Sequence, residues 1–77
     1  MNFNNPVTII RSLEEDHPIR ILFEEGFRNT DGKEGEKQRG GLNAVISEIN
    51  GKSEYKGLTN LISLYLATYR HILFIPD

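Results

Sequence analysis

The sequence predicts a small α+β domain: a short antiparallel sheet of about three strands, including a hairpin over residues 42–56, packed by a C-terminal helix and a short N-terminal helix. Three observations lead there. Leu42, Ala44 and Ile46 alternate with Asn43, Val45 and Ser47 ahead of Asn50-Gly51, the pair favoured in two-residue type I′ hairpin turns. Ile19, Ile21 and Phe23 alternate with Arg20 and Glu24, the period-two signature of a strand. Leu58, Leu61, Ile62, Tyr65, Tyr69 and Ile72 recur at the three-and-four spacing of one helix face. With 77 residues, the chain 1–77 makes a single domain.

Taken in order, Asn5-Pro6 is a helix start, since asparagine caps well and proline suits the first helical position. Val7, Ile10 and Leu13 then follow a three-residue spacing. Residues 6–15 also admit a strand, because Val7-Thr8-Ile9-Ile10 is rich in β-branched side chains; the cap favours the helix. Asp16-His17-Pro18 ends the segment either way, since the residue before a proline avoids helical geometry. Residues 19–25 are the first strand, and Leu22 breaks its alternation. Lys52–Lys56 is the return strand of the hairpin, short and charged as suits a sheet edge. Thr59 is the expected cap of the C-terminal helix. Ile72-Leu73-Phe74-Ile75 continues apolar to Pro76 and is expected to dock, for example as a strand added to the sheet.

The stretch from Arg28 to Gly41 holds fourteen residues and no apolar side chain. It includes Gly32, Gly35, Gly40 and Gly41, and glycine loses the most backbone entropy on ordering. A polar, flexible loop over 28–41 is expected, outside the core or ordered on a partner.

Eleven acidic and nine basic residues give a formal net charge of −2. That balance lacks the concentrated positive excess of a typical nucleic-acid binder. There is no cysteine, which excludes disulfides and thiolate metal sites and agrees with a cytoplasmic location. The N-terminus has no basic region followed by an apolar run, so no signal peptide is expected. Residues 58–75 are the longest apolar run, but Asn60, Arg70 and His71 interrupt it. A buried helix is expected there, not a membrane span.

Few residues offer chemistry. His17 follows Glu14-Glu15-Asp16, a set that could bind a metal or form an acid–base pair. Consecutive residues at a helix end splay apart, however, so a solvated acidic terminus is expected. His71 beside Arg70 near a helix C-terminus complements the helix dipole. Ser12, Ser47, Ser53 and Ser63 lack the glycine-flanked turn of a nucleophile elbow. Gly35-Glu36-Lys37-Gln38 breaks the P-loop pattern, and Lys33 falls where a calcium loop needs a ligand. No catalytic residue, cofactor or metal site is expected.

Two surfaces remain. Leu64, Tyr65, Tyr69 and Phe74 exceed what a thin sheet can cover, and tyrosine suits interfaces. These four are the expected partner-binding residues of a non-catalytic protein-interaction module, a regulator or inhibitor that occludes a larger protein. Homodimerisation through the same helix is a variant that would also support a small core. The alternative is a nucleic-acid-binding accessory domain. It would use Arg28, Lys33, Lys37 and Arg39 as nucleic-acid or anion contacts on the 28–41 loop, beside the 42–56 hairpin with Lys52, Tyr55 and Lys56.

Overall fold

The computed structural model describes the backbone of residues 5–74 and the side-chain surroundings of residues 5–68. Its elements are α1 (Pro6–Arg11), α2 (Pro18–Arg28), α3 (Glu34–Ile49), a 3-10 turn (Ser53–Tyr55) and α4 (Lys56–Phe74). Among the described residues there is no strand. The α+β fold with a three-stranded sheet is therefore corrected to an all-helical one.

α1 forms where the sequence placed a helix. The Asn5 side chain accepts the Val7 amide at 2.8 Å, and Pro6 stands in the first turn. The helix stops at Arg11, short of residue 15, and Val7 and Ile10 face the core.

The segment read as the first strand is α2. It uses the same start signal as α1, a capping side chain followed by proline: His17 Nδ1 accepts the Ile19 amide, and Pro18 opens the helix. Ile19 and Phe23, four apart, are buried, whereas Ile21 is 51% exposed. Alternation would have put all three on one face; helical spacing separates them. Leu22, which interrupted the alternation, packs against the core. Arg20, Leu22, Glu24 and Glu25 are good helix formers, so propensity and packing agree.

The hairpin over 42–56 is likewise absent. Residues 42–49 are the second half of the sixteen-residue helix α3, and residues 53–56 are the 3-10 turn and the start of α4. Leu42, Val45 and Ile49 are buried and Ile46 packs beside them. That spacing of three and four is helical; Val45, assigned to the opposite face of a strand, is fully buried. Asn50-Gly51 does make a turn. Gly51 has φ +90°, but Asn50 has φ −62° and ψ 129°, and the Lys52 amide donates to the Ile49 carbonyl at 3.0 Å. Asn50 thus takes the conformation of the second residue of a type II turn, which needs positive φ only at its third. It joins two helices where a type I′ turn would join two strands.

The polar stretch 28–41 is only partly a loop. Arg28 ends α2, residues 29–33 turn, and Glu34–Gly41 is the first half of α3. Glu36 Oε1 accepts the Lys33 amide at 2.8 Å, satisfying one donor at the helix start. Glu34 and Glu36 in the first turn complement the dipole. The side chains that bury are absent, so the helices meet through backbone instead. A Cβ on Gly41 would stand 2.6 Å from the Phe23 ring, and one on Gly26 would stand 2.7 Å from the Gly40 carbonyl oxygen. α2 and α3 form a helical hairpin, the most closely packed pair of the molecule.

α4 lies against α3 and α1. It begins at Lys56, so Thr59 is in its second turn, not at its cap; Thr59 Oγ1 is buried without a hydrogen-bond partner. Ile62 and Leu66 enter the core, which comprises Val7, Ile10, Ile19, Phe23, Leu42, Val45, Ile49, Ile62 and Leu66. The backbone of residues 72–74 continues α4 rather than forming a strand; Ile75 lies outside the described residues.

Candidate functional site

The outward side of α4 is set by its 100° turn per residue. Ile62 and Leu66 point inward; Asn60, Ser63, Leu64, Ala67 and Thr68 are exposed. The polar strip of this helix is thus wider than its sequence suggested, and α1 and α3 cover the apolar side. Leu64 stands out on the wet side, 66% exposed. Leu61 and Tyr65, three residues before it and one after, are half-buried, and Tyr65 packs against the core. Leu61, Leu64 and Tyr65 therefore form a ridge that starts in the core and ends in water. Of the expected partner-binding residues, Leu64 faces solvent and Tyr65 packs against the core, about 100° apart on the helix. The side chains of Tyr69 and Phe74 lie outside the described residues.

The four cations of the nucleic-acid alternative are differently employed. Arg28 ends α2 and lines an open cleft of about 280 Å³ with Glu15, Arg20, Ile21 and Glu24. Lys37 Nζ donates to the Thr30 carbonyl at 2.6 Å and stands 5.3 Å from the centre of the Phe27 ring. It closes the α2–α3 turn together with Thr30 Oγ1, which donates to the Gly26 carbonyl at 2.7 Å. Lys33 is exposed, and its amide is bound by Glu36. Arg39 is half-buried and, two positions from Lys37, lies about 200° around α3 from it. The hairpin that was to complete this surface is not formed.

Sequence reading missed the side-chain cluster that ties α1 to α2. Arg11 Nε and Nη2 donate to the two carboxylate oxygens of Glu24 at 3.0 and 3.3 Å. Its guanidinium carbon lies 5.0 Å from the Phe23 ring centre and 4.8 Å from that of Phe27. Arg20 adds a second cation 3.8 Å from Glu24 and donates to the Leu13 carbonyl at 3.0 Å. Forked donors on a carboxylate and a planar cation over aromatic faces are the interactions arginine makes best. Thirteen residues separate Arg11 from Glu24, so only the helical fold of 18–28 could have revealed the pair.

His17 is part of no acidic cluster that closes on an ion. Its ring caps α2, and among the described residues no group of three or more histidine, aspartate or glutamate side chains converges on a metal-sized site. No described helix is long and apolar enough to cross a membrane. Searches against protein-family models, curated proteins and solved structures returned no match to this chain.

Proposed function

We propose that this chain is a small non-catalytic protein-interaction module that docks on a larger protein through the outward ridge of α4, as a regulator or inhibitor acting in the cytoplasm. One observation carries the reading: Leu64 is exposed on a helix where the large apolar residues around it, Leu61, Ile62, Tyr65 and Leu66, are drawn inward. A leucine in that position gains by burial against a partner, about 1.5–3 kcal/mol if fully covered. Leu61 and Tyr65 beside it supply a rigid apolar base, and tyrosine adds a hydrogen-bonding tip. A second copy of the chain is one protein that could cover the ridge.

The test places a photo-crosslinking amino acid at exposed position 60, one turn before Leu64, with a control at exposed Ser47, in cells of the native host. An adduct specific to position 60 is expected, identified by mass. Leu64→Asp should abolish its capture while leaving the helical circular dichroism and the melting temperature unchanged. Adducts identical at both positions, or undiminished by Leu64→Asp, would refute the proposal. Sedimentation of the purified chain over a concentration series reads out the homodimer.

A further inference from the structure

α2 begins at a histidine, and one bond defines what that histidine does. The His17 backbone is extended, with φ −65° and ψ 133°, as a following proline requires. From there the imidazole folds back, and Nδ1 accepts the Ile19 amide at 3.1 Å. An imidazole nitrogen accepts a hydrogen bond only while it carries no proton. The cap therefore needs the neutral ring with its hydrogen on Nε2. The protonated ring has two donors and no acceptor, so Nδ1–H would face the Ile19 N–H. It would also place a positive charge at the positive end of the helix dipole. The usual capping residues, serine, threonine, asparagine and aspartate, do not change charge between pH 5 and 8; histidine does.

We propose that His17 makes α2 proton-sensitive: uptake of a proton at Nδ1 releases the Ile19 amide and loosens the first turn of the helix. That turn carries buried Ile19, and Arg20 donates from it to the Leu13 carbonyl. Loosening it thus slackens the connection between α1 and α2.

The charged groups around the ring bear on the sign. Glu14, Glu15 and Asp16 precede it, all exposed. Arg20 lies one turn along α2, engaged with Leu13 and Glu24. Among the described residues, no ion pair joins the imidazole to any of these or to a charged group on α1, α3 or α4. The three carboxylates attract an imidazolium only through solvent, which screens them. The lost acceptor and the dipole act at contact distance.

The experiment compares the full chain with His17→Asn, which keeps a capping oxygen and takes up no proton. Thermal melting is followed by circular dichroism at pH 7.5 and 5.5 at constant ionic strength. The common pH response, including that of His71, cancels between the two proteins. The unsubstituted chain is expected to lose about 4–8 °C more than His17→Asn on acidification. Amide hydrogen exchange supplies a readout on the unsubstituted chain alone. Protection at Ile19, corrected for intrinsic exchange, should fall severalfold relative to Val45 as the released amide opens to solvent. Equal pH responses of the two proteins, or Ile19 protection that holds in step with Val45, would overturn the proposal.

Discussion

Replacing Gly41 with alanine adds one methyl group at the point where α3 crosses α2, and two effects of opposite sign compete. Alanine is favoured over glycine within a helix by about 0.8–1 kcal/mol, and Gly41 lies in the middle of α3. Against this, the new Cβ would meet Phe23 Cδ1 at 2.6 Å, Cε1 at 2.7 Å and the Phe23 carbonyl oxygen at 2.7 Å. Ordinary carbon contacts are about 3.5–4.0 Å, so the two helices must part by the better part of an ångström. The ring cannot rotate clear, because Phe23 is fully buried and Arg11 lies across it. Overpacking costs about 1–3 kcal/mol, and parting the helices also weakens the Gly26–Gly40 approach. The net expectation is destabilisation by about 1–2 kcal/mol, a fall of roughly 4–15 °C in melting temperature for a domain of this size. The control is Gly57→Ala in the first turn of α4, where a Cβ meets nothing within 4 Å; it should be neutral or stabilising by up to about 1 kcal/mol. Urea unfolding followed at 222 nm measures both. If Gly41→Ala matches or exceeds the unsubstituted chain in stability, the close crossing of α2 and α3 is refuted.

Other substitutions probe separate parts of the same packing. Thr59→Val replaces a buried, unpaired hydroxyl with a methyl of the same shape; it should stabilise by about 1–2 kcal/mol in urea unfolding. Ile62→Ala empties a fully buried position and should cost about 2–5 kcal/mol, whereas Leu64→Asp on the exposed side should change stability by no more than about 0.5 kcal/mol. Arg11→Met keeps an unbranched apolar stem but removes the fork on Glu24 and the cation over Phe23 and Phe27. A loss of about 1–2 kcal/mol is expected, smaller in high salt, because the ion pair is partly exposed.

The helices at the two ends were legible because their signals were redundant. Asn5-Pro6 supplied both a cap and a first-turn proline, and the apolar row of α4 extended over several turns. The middle was misread for two physical reasons. Short apolar runs satisfy both periods: Ile19–Phe23 contains pairs two apart and pairs four apart, and only burial of Ile19 and Phe23 with exposure of Ile21 decides between them. His17-Pro18 repeats the start signal of Asn5-Pro6, but histidine ranks low among caps, so the dipeptide reads as a stop. In residues 42–49 the alternation Leu-Asn-Ala-Val-Ile-Ser is strand-like on its own, because the eight residues before it carry no apolar side chain and their glycines resemble a loop. Joined to them, Leu42, Val45, Ile46 and Ile49 lie on one face of a long helix. Spacing placed Leu64 and Tyr65 on the C-terminal helix, while the exposure of Leu64 and the Arg11–Glu24 contact depend on packing, the latter on a helix that alternation had hidden.

The glycines of the polar stretch show how so small an all-helical chain holds its middle together. A helix that begins with eight residues lacking any apolar side chain has nothing to bury by the usual route, and a glycine in its interior costs about 1 kcal/mol relative to alanine. Placed at positions 40 and 41, opposite Gly26 and Phe23, those glycines bring backbone against backbone and backbone against an aromatic ring. Dispersion contacts then accrue along the crossing. Lys37, extended over Phe27 to the Thr30 carbonyl, covers the end of the crossing with its aliphatic stem while its ammonium remains bonded. A polar sequence is therefore compatible with tight packing when its smallest residues fall on one helix face. Absence of apolar side chains marks where a core cannot be built from side chains; it does not mark where the chain is loose.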